Sequence, residues 1–422
     1  MSLACVAVVV SACTTTPTST DLSGEAVEVV AVWQDAEADA FRLVLDGFEA
    51  ATGATVRFTS TEGEDIAGFL DRRIAAGDPP DVAFLPQPGL LAAYATSGAI
   101  LPIDDIVGDE VRQRYAPEWR RLGSVGGDLY GLWFKAANKS LVWYSVGAFE
   151  AAGVVPPTDL NGLGEVAAAL TAAGTPAFSV PTAPGDAWTL TDLFENLYLR
   201  MAGPSRYDGL AAHRIPWTDP SVVEALTALT ALLPASHRAA LPPDADFPAS
   251  VDAVFSLEPT AAMVVEGDFV PGVAGESAVE LGVDVDVFPF PELRSRDRFV
   301  VGGGDAAVLM RSSDAGQALL RHLATPEAAE VWVRQGGFVS PNEDVDLRAY
   351  PDATSRRAAR SMLDAGGGGF RFDLSDLQPA AFGGTTGVGM WAVLQALVDD
   401  PSDVSGAAAR LEQAAAAAWA SP

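Results

Sequence analysis

Lysine is nearly absent from this sequence. Of its 26 basic residues only two are lysines, Lys135 and Lys139, and both lie in the stretch GLWFKAANKSLVWYS. A general preference for arginine would leave two lysines there by chance. The other interpretation is that this stretch requires a compact ammonium group, which the planar guanidinium of arginine does not imitate. The sequence alone leaves both interpretations open.

Cysteine and histidine are also scarce. Cys5 and Cys13 both precede residue 14, which excludes disulfides, thiolate metal sites and a cysteine nucleophile from the rest of the chain. His213, His237 and His322 are too far apart for a metal-ligand spacing. The sequence also lacks G-x-S-x-G, H-E-x-x-H and a phosphate-binding loop. We therefore expect no metal ion and no cofactor.

Acidic residues greatly outnumber basic ones. The 56 acidic and 26 basic residues give a net charge of −30, which repels nucleic acids and anionic lipid head groups. A strongly anionic ligand is disfavoured for the same reason. With 422 residues, 49% of them hydrophobic, the chain is long enough for two or three globular domains.

The N-terminus has the features of a targeting segment. An apolar run within residues 1–12 is typical of the end of a secretory signal peptide, and VSAC at residues 10–13 resembles the lipobox of bacterial lipoproteins. We expect lipidation at Cys13, with residues 13–24 as a flexible tether. No basic residue precedes Cys13, so we expect the signal peptide to be truncated at its start. The alternative is that residues 1–12 are a terminal segment without a function.

The folded part begins with alternating strand and helix patterns, which predict an α/β fold around a parallel sheet. The expected elements are strands at 27–32, 55–61 and 81–85 and helices at 39–52, 65–76 and 90–97. Ligands of such sheets bind beyond the carboxyl ends of the strands. Candidate binding residues there are Trp33, Asp35 and Glu37 after the first strand and Gln87 after the third. Ordinary turns with helix caps are the alternative.

Residues 187–202 are predicted to form an amphipathic helix. At helical spacing, Trp188, Asp192 and Glu195 lie opposite the apolar face. An aromatic ring beside carboxylates suits a sugar, because the ring stacks on the sugar and the carboxylates accept hydroxyl protons. We therefore predict that these three residues contact a ligand. The alternative is a solvated helix face with one exposed tryptophan.

Four further residues are candidates for ligand contact. Glu266 follows the expected strand at 261–265. Gly303 and Gly304 fit a dinucleotide-binding motif by letter, but a strand pattern rather than a helix follows them. We expect these glycines to allow a close approach of ligand and backbone, or to form a bulge. Asp376, in FRFDLSDL, is a further candidate in the same cleft.

Several long segments resemble a known family. AAGDPPDVAFLPQPGLLAAYATSGAILPIDD, GDLYGLWFKAANKSLVWYSVGAFEAAGVVPPT and WTLTDLFENLYLRMAGPSRYDGLAAHRIPWTDPSV are similar to extracellular solute-binding proteins of bacterial ABC sugar importers. The resemblance is to the α-glucoside branch of the maltose-binding-like family. It implies two α/β lobes joined by crossing strands, with C-terminal helices and a ligand between the lobes. Lobe 1 would comprise 25–134 and 285–323, and lobe 2 would comprise 135–284 and 324–422.

The resemblance also implies a function. We expect a monomeric, lipid-anchored protein on the extracellular face of the cell membrane that captures a neutral sugar and delivers it to an ABC permease. The alternative is a glycoside hydrolase that uses Asp192 and Glu266 as paired carboxylates.

On this map Asn138 and Lys139 lie at the first crossing between the lobes. We expect Lys139 to reach the cleft and bind sugar hydroxyls or a carboxylate such as Glu266 or Asp35. Lys135 is expected to be a partly exposed partner for the acidic surface.

Overall fold

The computed structural model describes residues 21–61, 66–233, 241–274, 277–294, 297–366 and 368–420. The predicted signal peptide, the lipidation site Cys13 and most of the tether lie outside the described residues. The chain forms a two-lobe α/β fold. In the described part of the chain, no helix is both long and apolar enough to cross a bilayer.

The larger sheet forms the centre of lobe 1. Its strands are β1 Ala26–Ala31, β2 Thr55–Ser60, β3 Val82–Leu85, β6 Gly131–Asn138, β10 Val300–Leu309 and β11 Phe370–Phe372. Along the main path the strand order is β11-β10-β3-β1-β2. Strand β6 lies off this path and also pairs with β10. The prediction of a parallel sheet holds for β1 to β3. The whole sheet is mixed, however, because β10 runs antiparallel to both β3 and β6.

The smaller sheet belongs to lobe 2 and is antiparallel. It has the order β8-β7-β9, with β7 Leu141–Ser145, β8 Met263–Val265 and β9 Val285–Pro289. A short hairpin, β4 Ser124–Val125 and β5 Asp128–Leu129, precedes β6.

The first three helices of lobe 1 follow the predicted pattern, with bounds shifted by up to four residues. The helices of lobe 1 are α1 Asp35–Thr52, α2 Ile66–Ala75, α3 Pro88–Ser97, α4 Asp104–Arg114, α5 Pro117–Leu122, α13 Asp314–Leu323 and α14 Pro326–Val333. Helix α1 buries the apolar face formed by Phe41, Val44, Leu45 and Phe48, and Gly53 ends the helix in the left-handed conformation.

The remaining helices surround the smaller sheet or connect the lobes. They are α6 Val146–Ala152, α7 Leu160–Ala172, α8 Trp188–Ala202, α9 Pro204–Ala211, α10 Pro220–Leu232, α11 Phe247–Asp252, α12 Val270–Val273, α15 Ala353–Asp364, α16 Ala380–Gly383, α17 Gly389–Asp399 and α18 Val404–Trp419. Helices α8, α10, α17 and α18 share one hydrophobic cluster.

The hydrophobic clusters divide the chain differently from the predicted lobe boundaries. Residues 285–289 were expected in lobe 1, but β9 pairs with β7 in the lobe 2 sheet. Residues from 324 onward were expected in lobe 2. However, Trp332, Val333 and Phe338 pack into the lobe 1 core, because α14 lies against α1. The first boundary is therefore corrected to about residue 290. The second lies beyond residue 372, because β11 belongs to the lobe 1 sheet.

Two chain crossings lie side by side between the lobes. Strand β6 continues into β7 through Lys139 and Ser140, while the segment from β9 to β10 returns in the opposite direction. Lys139 N–H donates to Val301 O, and Val301 N–H donates to Ser140 Oγ. Phe290 N–H donates to Ser140 O. These bonds fix the backbone of Lys139 at the junction of the lobes.

Candidate functional site

Lys139 forms ion pairs with two buried carboxylates at the junction of the lobes. Its ammonium lies 3.1 Å from Asp192 Oδ2 and 2.5 Å from Asp373 Oδ2. Burial lowers the pKa of Lys139, but the charges of Asp192 and Asp373 outweigh burial and hold this pKa well above its usual value. Lys139 is therefore a fixed internal cation. The expected partner Glu266 adjoins this group, whereas Asp35 is exposed at the start of α1.

Glu266 is a fully buried carboxyl group beside Lys139. Neither of its side-chain oxygens receives a well-aligned hydrogen bond within the described part of the chain. Burial raises the pKa of Glu266 to about 8, although the positive charge of Lys139 opposes this shift. Burial likewise raises the pKa of Asp192. Glu266 is thus protonated at neutral pH and has unused capacity for hydrogen bonding.

The polar face of α8 is buried rather than solvated, which corrects the prediction of a wet face. Asp192 and Glu195 are both completely inaccessible. Glu195 accepts hydrogen bonds from Leu374 N, Ser375 N and Tyr207 Oη. The segment that follows β11 therefore covers this face. Glu195 holds that segment in place, so the structure assigns it a positioning role and not ligand contact.

Trp188 is half-buried at the first turn of α8. Its ring meets Phe247 edge to face at 4.9 Å between centroids and lies 6.4 Å from Phe269. The ammonium of Lys139 is 5.5 Å from the ring centroid, within range of a cation–π interaction. One group is therefore formed by Trp188, Asp192, Glu266 and Lys139. The sequence predicts all four of them in the same cleft.

Lys135 is buried, which corrects the prediction of a partly exposed residue. Its ammonium pairs with Glu37 and lies 5.4 Å from the ring of Trp332. Only 5% of the residue is exposed. Burial lowers the pKa of Lys135, but the negative charges around it, first Glu37 and then Asp305, together raise this pKa by more. The net shift is upward. The cause of the error is the position of Lys135 in β6, where it pairs with Asp305 of β10 and its ammonium lies near Trp332 of α14.

Three residues near the first strand were predicted to contact a ligand, but the structure places them in three different environments. Trp33 is 1% exposed; its ring packs against Phe84 and Trp332, and its Nε1 donates to Asp305 Oδ2. Trp33 is therefore a core residue, contrary to prediction. Asp35 is exposed and has a φ of 45°. Glu37 forms an ion pair with Lys135.

The predicted glycines and Asn138 have structural positions. Gly303 and Gly304 lie within β10 beside β6, and a register shift follows at Asp305, so the predicted bulge is present. A Cβ on Gly304 would overlap the carbonyl oxygen of Lys135, so Gly304 admits the neighbouring strand, whereas Gly303 faces the side chain of Lys139. Asn138 is buried and donates to Ala358 O and Ser361 Oγ.

Two cavities open between the lobes, and neither is lined by Lys139, Trp188, Asp192 or Glu266. The first has a volume of about 690 Å³ and is lined by Glu37, Phe269, Trp332 and Gln335, among others. The second has a volume of about 610 Å³ and is lined by Gln87, Asp376, Gln378 and Trp419, among others. Both volumes suit a small ligand. The predicted residues Gln87 and Asp376 meet in the second cavity.

One carboxylate cluster has the spacing of a cation site. Oxygens of Asp192, Glu195 and Asp373 lie within 4.8 Å of one another. The ammonium of Lys139 already occupies this cluster through Asp192 and Asp373, and backbone N–H groups occupy Glu195. The donor set therefore fits an internal lysine rather than a metal ion.

Comparison with known protein families gives this geometry a context. The family described as bacterial extracellular solute-binding protein matches residues 34–330, which is more than half of the chain. The chain belongs to this family. Its fold and its inter-lobe cavities agree with that membership.

Two curated relatives align with this solute-binding protein over most of their length. The α-glucosides-binding periplasmic protein AglE of Rhizobium meliloti (strain 1021) is 31% identical over 86% of this chain and 82% of its own. The osmoprotective compounds-binding protein GgtB of Synechocystis sp. is 30% identical over 91% of this chain and 92% of its own. The resemblance to the α-glucoside branch is thereby confirmed.

Solved structures confirm the fold. The bacterial solute receptor AcbH, described as having an exclusive preference for β-D-galactopyranose, superposes with a TM-score of 0.78 at 17% identity. It covers 94% of this chain and 99% of its own. RafE in complex with raffinose superposes with a TM-score of 0.73 at 16% identity, covering 92% and 98%. These relatives are binding proteins, so this solute-binding protein is not an enzyme and the hydrolase alternative is withdrawn.

Several residues of the site did not appear among the predicted contacts. Phe269 and Gln335 line the first cavity, and Trp419 lines the second. Asp373 shares the segment FRFDLSDL with the candidate Asp376; it is the second partner of Lys139 and accepts Asp376 N–H at 3.1 Å. The sequence gives no comparable signal for Gln335 or Trp419.

Proposed function

We propose that this protein captures a neutral sugar, an α-glucoside or short oligosaccharide, between its lobes and delivers it to an ABC permease. The observation that carries the proposal is the chemistry of the two inter-lobe cavities. Both combine aromatic rings with carboxyl and amide groups, the usual lining of a sugar site. Trp188, Glu266 and Lys139, at the junction of the lobes, complete the proposed ligand-contacting group.

The basic groups support a ligand without negative charge. No lysine or arginine of the described residues lines the second cavity. Arg42, in the first cavity, is paired with Asp46 and Glu49. Lys139 is neutralised by two carboxylates. A phosphate or carboxylate ligand would therefore meet acidic groups without a free cationic partner.

The relatives support the class of sugar. AglE is named for α-glucosides and is similar to this chain over most of its length. RafE, which shares the fold, binds raffinose. GgtB is named for osmoprotective compounds, so non-reducing sugars belong in the test panel.

Calorimetry with purified protein tests the proposal. The panel comprises glucose, maltose, maltotriose, trehalose, sucrose, raffinose and galactose, with glucose 1-phosphate as the anionic comparison. We expect at least one α-glucoside to bind with a Kd of about 1 μM or lower, which corresponds to about −8.2 kcal/mol. Glucose 1-phosphate should bind at least about tenfold more weakly than the best neutral sugar. Binding of the phosphate alone would contradict the proposal.

Trp188→Ala tests the proposed contact surface. Aromatic contacts contribute about 0.5–1.5 kcal/mol beyond area burial, so the affinity for the best sugar should fall about tenfold or more. The matched control is Trp391→Ala, a half-buried tryptophan of α17. An unchanged affinity in Trp188→Ala, or an equal loss in the control, would remove Trp188 from the site.

We also propose that Cys13 carries a lipid anchor on the extracellular face of the membrane. The support is the order of apolar run, VSAC box and polar tether in the sequence. When expressed behind a complete signal peptide, the protein should partition into detergent, and Cys13→Ser should remain in the aqueous phase. Equal partitioning of the two proteins would refute the anchor.

A further inference from the structure

The second cavity contains an aromatic ring that is held rigidly at the surface. Trp419, at the end of α18, is 41% exposed, which is unusual for so large an apolar side chain. Its Nε1 donates to Gln378 Oε1 at 3.1 Å. Gln378 is itself fixed, because it is buried and its Nε2 donates to Ala211 O.

A stacked histidine also supports the ring of Trp419. His213 stacks on Trp419 with centroids 6.0 Å apart and an interplanar angle of 25°. His213 has a φ of 48°, a left-handed conformation that non-glycine residues seldom adopt. Its Nε2 lies 3.3 Å from Glu412 of α18. The ring is thus positioned by a hydrogen bond and a stacked neighbour while remaining accessible.

Polar groups of both lobes face the same cavity. Gln87, just before α3 in lobe 1, and Asp376, in the segment after β11, both line this cavity. A side chain on Gly384 would come within 2.9 Å of Gln87 Nε2, so the glycine leaves room for this amide. Thr385 and Thr386 are exposed at the rim. The cavity therefore combines an aromatic platform with amide, carboxyl and hydroxyl groups.

Asp376 connects this cavity to the Lys139 group. Asp376 N–H donates to Asp373 Oδ1 at 3.1 Å, and Asp373 forms an ion pair with Lys139, so a residue that lines the cavity is linked directly to the Lys139 group. We propose that the second cavity is an outer subsite that takes an additional sugar ring, stacked on Trp419, of a neutral oligosaccharide. The inference rests on the proposed function and extends it: the ligand has more than one ring, and the C-terminal helix helps to select its length.

The test compares sugars of increasing length. Calorimetry is performed with glucose, maltose and maltotriose on the full protein and on Trp419→Ala, Trp419→Phe and Gln413→Ala. We expect Trp419→Ala to weaken maltotriose at least tenfold and glucose less than twofold, with an intermediate effect for Trp419→Phe. Gln413, exposed on the same helix, serves as the control and should have no effect.

A second measurement does not depend on glucose binding. Saturating maltotriose should change the tryptophan fluorescence of the wild type, and part of that change should be absent from Trp419→Phe. Equal effects of Trp419→Ala on all sugars, or none, overturn the subsite while leaving the proposed function intact. A wild type that binds glucose but not the longer sugars also overturns it. A wild type that binds no sugar overturns both.

Discussion

At the scale of residues, the two lysines have different roles that their shared stretch of sequence conceals. Lys139 compensates Asp192 and Asp373 at the junction of the lobes. Lys135 compensates Glu37 inside lobe 1 and lies near Trp332. Both are buried in charged clusters. The interpretation that this stretch needs ammonium groups therefore has a structural basis at both positions.

The two lysine-to-methionine variants should consequently differ. Removing one partner of a buried ion pair costs about 3–5 kcal/mol, because the other charge remains unpaired. We expect Lys139→Met and Lys135→Met each to lose stability on that scale, measured by urea unfolding. Only Lys139→Met should also lower the affinity for sugar, by at least about tenfold, because charged hydrogen bonds are worth about 1.5–3 kcal/mol.

Each lysine variant serves as the control for the other. Sugar titrations are performed at a temperature where both variants remain folded by circular dichroism. If Lys135→Met loses as much affinity as Lys139→Met, ligand contact is not specific to Lys139. If neither variant loses stability, the buried pairs have no energetic role.

Glu266 makes stability depend on pH. Its pKa is about 8 in the folded protein, against 4.5 for an ordinary glutamic acid. Between these values the folded state holds a proton that the unfolded state has lost. The unfolded state binds fewer protons in this range, so stability falls as pH rises from 4.5 to about 8.

Glu266→Gln removes this contribution. Relative to wild type, the variant should gain stability steadily between about pH 5 and about pH 8, measured by urea unfolding at fixed ionic strength. Comparison with wild type cancels the effects of other titrating groups. Glu258→Gln, at an exposed position, should show no such gain. A constant difference between Glu266→Gln and wild type would show that Glu266 does not titrate in this range.

At the scale of elements, the sequence predicts the helices and strands well and their surroundings poorly. Periodicity places the first three strands and helices and α8 to within a few residues. It also identifies the apolar face of α8. It does not show that residues 372–375, far along the chain, cover the opposite face through Glu195. The wet-face prediction is wrong for that reason.

The same limit applies to single positions in strands. Trp33 follows β1, where a ligand contact was expected, but aromatic neighbours from α1, β3 and α14 enclose it. Lys135 has the composition of an exposed residue and the position of a core residue. Packing between distant parts of the chain determines the burial of both residues, and the local sequence pattern does not show that packing.

The close approach of β6 and β10 gives a test at this scale. A Cβ on Gly304 would overlap the backbone carbonyl of Lys135, whereas one on Gly303 would lie 3.2 Å from the side-chain atom Lys139 Cε, a closer approach than usual but not an overlap. Gly304→Ala should therefore lose about 1–3 kcal/mol of stability or more. Gly303→Ala, the matched control, should lose less. Equal costs measured by urea unfolding would mean that the strands can separate without penalty.

At the scale of the whole molecule, the family resemblance correctly predicts two lobes, crossing strands and C-terminal helices. The predicted boundaries at 285 and 324 are wrong because each lobe is assembled from separate chain segments. The order of segments along the chain does not show whether a helix such as α14 packs on the earlier or the later sheet. That depends on amphipathic surfaces meeting in space, here α14 against α1.

The charge of the whole molecule leads to a final prediction. A net charge of −30 destabilises the compact state by self-repulsion, which salt screens. The Lys139 pairs are buried and are screened much less. Raising NaCl from about 50 mM to about 300 mM should therefore raise the thermal midpoint by a few degrees. A neutral ligand adds no charge, so the Kd of the best sugar should change by less than about twofold over this range. A Kd that rises steeply with salt would indicate an ionic contact with the ligand and would contradict the neutral-sugar proposal, whatever the effect on stability.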